Sequence, residues 1–174
     1  MCAKVNPSKS GQRSSTHLLS KPKLNIGCGT DKKDGFINID KFQSVNPDAV
    51  VDVEDGLPFP DNHFTHIYCK QVLQSISPGK LEFVINEIGR VAKKGCIFEL
   101  IVPFDNIMNR SSVSNLKCFT WNSFSHLEVN GHRSYYFPFN LKPLHKRTPW
   151  LIKLFFVLFP IFKRTIYLKY EIIK

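Results

Sequence analysis

Between Lys23 and Val102 apolar and polar positions are grouped with two different periods. Short apolar runs over 24–26, 36–39, 49–52, 64–69 and 96–102 have the length and the β-branched or aromatic content of strands. Residues 78–93 instead place Leu81, Val84, Ile85, Ile88 and Val91 at helical spacing. Pro78 after Ser77 suits a first helical turn, and Lys93-Lys94-Gly95 suits a helix end. Strands alternating with helical patterns predict an α/β fold around a mostly parallel sheet.

Beyond Pro103 the pattern weakens. Residues 105–130 are polar and irregular, with Phe119, Trp121 and Phe124 interspersed, and predict a short helix around 121–127. Residues 132–139 are a candidate sixth strand. Residues 164–173 alternate Ile166, Leu168, Tyr170 and Ile172 with Tyr167, Lys169 and Glu171, the pattern of a last strand. The aromatic run 150–162 contains Lys153 and Pro160 and is shorter than the about 20 residues that span a bilayer. It reads either as a buried or substrate-capping helix or as an interfacial element. In the second reading Lys146, Arg147, Lys163 and Arg164 sit near headgroups, giving peripheral membrane contact through 150–164 and a lipid-linked substrate.

Residues 1–22 are Ser- and Lys-rich without apolar periodicity and read as a flexible basic tail, leaving 23–174 as one domain. The tail has no signal-peptide core, although its basic, acid-poor composition is shared with transit peptides. The formal charge of +10 is concentrated at the ends. Residues 1–23 carry five bases and no acid, and 142–174 carry eight bases against Glu171 alone. The middle holds eleven bases and thirteen acids, so it is no basic nucleic-acid platform, and no specific nucleic acid is expected as a partner. Five scattered cysteines without a Cys-x-x-Cys give neither a disulfide framework nor a zinc site, and a reducing, cytoplasmic setting is expected.

Candidate chemistry gathers where the first two strands end. The first runs into Gly27-Cys28-Gly29, where backbone can approach a ligand without Cβ interference, and the second ends on Asp40, a carboxylate able to accept two ribose hydroxyls. A dinucleotide fingerprint needs a third glycine, a helix N-terminus for the pyrophosphate and an acid about 20 residues on. Here Asp40 follows Gly29 by eleven residues, and 30–35 is too short for a crossover helix. S-adenosylmethionine carries a ribose and an adenine but no phosphate, so it is favoured over NAD, and an NAD-dependent oxidoreductase is disfavoured.

Four segments, 24–29, 35–40, 47–64 and 67–73, stand in an order and spacing that resembles the class I S-adenosylmethionine-dependent methyltransferases, in their small type 11-like branch with a shortened first crossover. The resemblance covers roughly 23–105. It implies a Rossmann-like three-layer sandwich of six to seven strands, with 23–105 as the cofactor half and 106–174 as the acceptor and cap half. It implies S-adenosyl-L-methionine as cofactor, held by Asn25, Gly27, Cys28 and Gly29, by Asp40 at the ribose, by Asp52 and Val53 at the adenine, and by the backbone of Cys69. Glu54 and Asp55 compete with Asp52, and Leu57, Pro58 and Phe59 would line the adenine side.

The chain departs from that family after the fourth strand, where histidines usually stand and Gln71 and Ser75 are found. Orientation against a sulfonium can carry much of a methyl transfer without a strong base. Catalytic residues are therefore left open, with His126, His132, Tyr135 and Tyr136 as candidates. The expected activity is methyl transfer to a small-molecule, glycan or lipid-linked acceptor. The competing reading is a non-catalytic cofactor-binding partner or regulatory protein.

Overall fold

The computed structural model describes residues 20–105, 107–113, 115–120, 122–129, 137–144 and 165–174. Seven strands form one sheet: β1 Lys23–Ile26, β2 Ile37–Asp40, β3 Ala49–Val50, β4 Phe64–Lys70, β5 Ala92–Pro103, β6 Asn140–Pro143 and β7 Thr165–Ile173. Their order is β3-β2-β1-β4-β5-β7-β6. Neighbours from β3 to β5 are parallel, and β7 runs antiparallel to both β5 and β6. The order reverses between β1 and β4, and in open α/β sheets such a switch point opens a crevice at the carboxyl ends of the strands. The α/β Rossmann-like sandwich with seven strands is as expected.

The first crossover is shortened as expected: residues 27–36 contain turns but no helix. Two buried asparagines hold it in place of a helix. Asn25 and Asn38 are register partners on β1 and β2, and Asn25 Nδ2 donates to Asn38 Oδ1 at 2.9 Å and to the Asp31 carbonyl at 3.0 Å. Asn38 Oδ1 also accepts from the Lys33 N–H (2.8 Å), while Asn38 Nδ2 donates to Asp48 Oδ2 (3.2 Å). Polar groups 1 % and 5 % exposed inside a sheet would cost stability if unpaired, and here each is given a partner by the turn.

Helix α1, Leu81–Val91, carries the expected stripe, with Val84, Ile85, Ile88 and Val91 buried and Leu81 partly so. Its limits differ from the expected 78–93. At the start, the Ser77 N–H is bound to Glu54 Oε1 at 3.0 Å and Lys80 closes a turn onto the Ser77 carbonyl, so the first helical carbonyl is that of Lys80. At the end, the Asn62 and His63 N–H groups take the Arg90 and Val91 carbonyls, and Ala92 opens β5 opposite Phe64. Lys93, Lys94 and Gly95 therefore lie at the irregularity between the Phe64–Ala92 and His66–Ile97 pairings of a long strand, not in a helix cap.

The late half is corrected more. A four-residue helix, α2, spans Ile107–Arg110. The expected helix around 121–127 reduces to a 3-10 turn at Ser125–Leu127. Of the expected sixth strand over 132–139 only 137–139 is described; it is bent, and the pairing among the described residues starts at Asn140. Phe139 is drawn off the strand by packing onto Gly89 of α1, where an added Cβ would lie 2.1 Å from the ring. β7 alternates as expected, with Ile166, Tyr170 and Ile172 buried. Residues 1–19 of the basic tail and the 150–162 run lie outside the described residues, and no described helix is long and apolar enough to cross a membrane.

Candidate functional site

At the switch point the carboxyl ends of β1, β2 and β4 enclose two adjoining clefts of about 180 Å³ each. Gly27 and Gln71 line both. Gly27 has φ +62°, and a Cβ there would stand 2.2 Å from Val72 Cγ2, so the turn and the close approach of the two chain segments both demand glycine. Gln71 is itself left-handed at φ 57°, a costly conformation for glutamine. Its N–H is fixed on the Ile101 carbonyl at 2.8 Å, and its Oε1 accepts from Nε2 of the buried Gln74 at 3.0 Å.

The first cleft is floored by Asp40, Asp52 and Val53 and walled by Phe42, Val72 and Ile76. Asp40 is oriented by backbone: Oδ2 accepts from the Gly29 N–H at 2.9 Å and Oδ1 from the Phe42 N–H at 3.0 Å. Each oxygen keeps lone-pair capacity for a further donor. Asp52 Oδ1 accepts from the Glu54 N–H at 3.0 Å and caps a 3-10 turn over Val53–Asp55. Glu54, its expected competitor, also lines the cleft, but one of its oxygens is engaged by the Ser77 N–H, which holds its carboxyl below the usual range.

The second cleft contains Asn25, Cys28, Thr30, Asp31, Tyr68 and Lys70. Lys70 Nζ lies 2.8 Å from Asp31 Oδ2, and that contact lowers the Asp31 carboxyl and raises the Lys70 ammonium from their ordinary values. Burial, with the Asp40 charge second, pushes the Cys28 thiol up, which leaves it a poor nucleophile. Lys33 Nζ sits 4.0 Å from the centre of the Tyr68 ring and fixes the cleft's aromatic wall.

Gly27, Asp40, Asp52 and Val53 thus meet in the first cleft, and Gly27, Asn25 and Cys28 in the second. Gly29 contributes through its hydrogen bond to Asp40. Cys69 lines neither cleft and is fully buried in β4, its thiol pushed up to about 12 by desolvation. Leu57 and Phe59 line neither cleft and lie in the core, with both of their carbonyls taken by Arg90 of α1 at 2.7 and 2.9 Å. His126 faces a separate apolar cavity of about 400 Å³ between α1 and Phe119, Phe124 and Phe137. His132, Tyr135 and Tyr136 lie outside the described residues. Sequence reasoning missed Asp31 and Tyr68; their signal was a charged or aromatic residue beside a glycine loop and at a strand's carboxyl end.

Residues 11–100, more than half of the chain, match the family model described as a methyltransferase domain. The chain belongs to this family as a class I methyltransferase of the type 11 kind, and its cofactor is S-adenosyl-L-methionine. Solved structures of the same fold include an S-adenosylmethionine-dependent methyltransferase from Archaeoglobus fulgidus, 10% identical with a TM-score of 0.59 over 86% of this chain and 85% of that one. The 1,6-didemethyltoxoflavin-N1-methyltransferase of Burkholderia thailandensis, with bound 1,6-didemethyltoxoflavin and S-adenosylhomocysteine, is 13% identical with a TM-score of 0.58 over 91% of this chain and 74% of that one. A Haloferax volcanii methyltransferase complexed with the Trm112 methyltransferase activator gives 13% identity and a TM-score of 0.55, over 90% and 87% of the two chains. No curated protein matches the chain.

Proposed function

We propose that the first cleft holds the adenosine of S-adenosyl-L-methionine and that the chain transfers its methyl group to an acceptor seated against 106–174. The observation that carries this reading is the Asp40 carboxylate, fixed by the Gly29 and Phe42 N–H groups beside a glycine that only a bare backbone can replace. Asp40 accepts the two ribose hydroxyls, Asp52 accepts from the adenine amino group, and Val53, Val72 and Ile76 give the base its apolar bed. Gly27 and Gly29 let backbone come close to the ligand, with Cys28 contributing backbone rather than sulfur. The bound cofactor supplies a sulfonium-activated methyl, so the chain's task is to align an acceptor with it and exclude water.

The acceptor is a small molecule, a glycan precursor or a lipid-linked compound. Its choice rests with the late half, where fold analogy carries no chemistry. A basic, aromatic 150–164 segment in contact with a membrane surface would suit the lipid-linked case. An activator protein, such as the Haloferax volcanii relative has, is a further candidate partner. Four described cysteines are free thiols, in keeping with a reducing, cytoplasmic setting.

A second reading, a cofactor-binding protein without turnover, is favoured by one observation: Gln71 and Ser75, neither able to take a proton at neutral pH, both line the first cleft. Calorimetric titration with S-adenosylhomocysteine tests the site. Micromolar binding lost in Asp40→Ala is expected, and a folded wild-type chain that does not bind would overturn the reading. Methyl transfer from labelled cofactor to any member of a small-molecule, glycan and lipid panel separates the enzyme from the silent binder.

A further inference from the structure

The cavity that His126 faces is larger than either cleft, at about 400 Å³ against about 180 Å³, and none of its lining residues lines a cleft. Leu81 and Ile85 of α1 line it together with Phe119, Phe124 and Phe137. The rings are anchored by the fold. Phe119 donates its N–H to the Pro103 carbonyl at 3.1 Å, at the end of β5, and stacks on Phe124 with ring centres 5.4 Å apart. Phe137 meets Phe139 edge to face, and Phe139 packs on Gly89 of α1. Protein interiors are close-packed, with few voids larger than a water molecule, so an aromatic-walled cavity of this volume fits a ligand site better than a core defect.

An apolar cavity of about 150 Å³ is enough to take benzene. At about 400 Å³ this one has room for two fused rings. Phenylalanine walls favour a flat aromatic guest, because ring pairs gain from offset-stacked and edge-to-face contacts beyond the area they bury. The polar side chains on the lining are Glu82, Ser123 and His126. Ser123 Oγ is already engaged, by the Thr120 N–H at 2.8 Å and the Thr120 hydroxyl at 3.3 Å. Glu82 and His126 have no side-chain hydrogen bond among the described residues. An ionised Glu82 can only accept, whereas His126 can accept or donate, so the pair calls for a donor on the guest. We infer that this cavity binds a small aromatic molecule of one or two rings bearing a hydroxyl or amino group, with the donor on Glu82 and the rings among Phe119, Phe124 and Phe137. With no lining residue shared with the clefts, the site stands independently of the cofactor reading.

Calorimetric titration of the full chain with three probes tests it. 2-Naphthol has two rings and a donor, 2-naphthoate the same rings and only acceptors, and 1-octanol a donor without rings. 2-Naphthol is expected to saturate the wild type in the micromolar range and to bind about tenfold or more tightly than either comparison, the worth of one hydrogen bond to a charged group. Glu82→Gln, which can donate as well as accept, is expected to bring 2-naphthoate to within about threefold of 2-naphthol. Leu81→Trp fills the cavity from α1 and is expected to abolish 2-naphthol binding, to leave S-adenosylhomocysteine within about twofold, and not to lower the melting temperature. Ile85→Phe serves the same purpose if Leu81→Trp melts early. A folded wild type that takes up none of the probes overturns the site. So does 2-naphthol binding that survives both filling variants, since the probe then sits elsewhere. Octanol bound as tightly as 2-naphthol would overturn the aromatic class, and 2-naphthoate bound as tightly would overturn the role of Glu82.

Discussion

The two clefts that meet at Gly27 and Gln71 differ in what fixes their polar groups. In the first, Asp40 and Asp52 are aimed by backbone N–H donors, so the acceptor atoms are set by the fold itself. In the second, the charged groups are two exposed side chains that hold each other. Preorganised groups cost little ordering when a ligand arrives, whereas a side-chain pair must be opened and re-aimed. The acceptor atoms of the first cleft are thus set by the fold, whereas the charges of the second are free only once their own contact is opened.

The largest expected effect comes from the residue the clefts share. Gly27→Ala adds a Cβ 2.2 Å from Val72 Cγ2 at a φ of +62°, combining overlap with left-handed strain. A loss of about 2–4 kcal/mol in stability, with no measurable S-adenosylhomocysteine binding, is expected in denaturant melts and titration. Gly29→Ala is the control: φ is +48° but nothing lies within 4 Å of the added carbon, so only the strain of roughly 1 kcal/mol remains. Adding Val72→Ala to Gly27→Ala should recover the overlap part alone. Equal losses in the two glycine variants would show that close approach at Gly27 is unimportant.

A smaller effect should divide the clefts. Asn38→Ala removes the acceptor for Asn25 Nδ2, which on β1 also holds the Asp31 carbonyl, and for the Lys33 N–H in the turn that carries Asp31. Orphaning a buried amide costs about 1–3 kcal/mol, visible as a lower denaturation midpoint. Asp40 keeps its bonds to Gly29 and Phe42, so 5′-methylthioadenosine, which lacks the amino-acid end, should bind nearly as before while S-adenosylhomocysteine weakens. If the two ligands lose equally, the turn supports the first cleft as much as the second.

These asparagines also show what could be read in the sequence. The strand-ending glycines, Asp40 and the shortened crossover follow from local rules: glycine where backbone must come close, an acid at a strand tip, a gap too short for a helix. Asn25 is expected near the cofactor from the family resemblance, but its partnership with Asn38 depends on β1–β2 register, which no local pattern supplies. The start of α1 was misjudged because Ser77 spends its N–H on Glu54, a residue 23 positions earlier. Leu57 and Phe59 are buried in the core, and their carbonyls meet Arg90, more than 30 positions later, a pairing that no local pattern supplies. What escapes the sequence here is long-range capping and pairing, while strand-end chemistry is written locally.

The smallest expected effect concerns the sheet behind Tyr68, and it should leave the contrast between the clefts untouched. His66, two residues before Tyr68 on β4, is half-buried, with Nε2 3.2 Å from Glu99 Oε1 but outside hydrogen-bond geometry. Tyr167 donates to Glu99 Oε2 at 2.8 Å, and Lys169 Nζ lies 3.2 Å from Oε1, so the carboxylate is already shared. Burial, opposed by Glu99, holds the His66 imidazole below its ordinary value of 6.5. A depressed histidine is neutral in the native chain and protonates more readily once unfolded. Its contribution to stability is therefore present above about pH 6.5 and is lost as pH falls below that value toward the lower native one. Denaturant melts between pH 5 and 7.5 should show a decline on the acid side that His66→Gln flattens. The ratio of S-adenosylhomocysteine to methylthioadenosine affinity should not change in this variant, because His66 lines neither cleft. A ratio that moved would mean that the polar face of the sheet feeds into the second cleft through Tyr68, and the two clefts would then differ in their coupling to the core as well as in their polar groups.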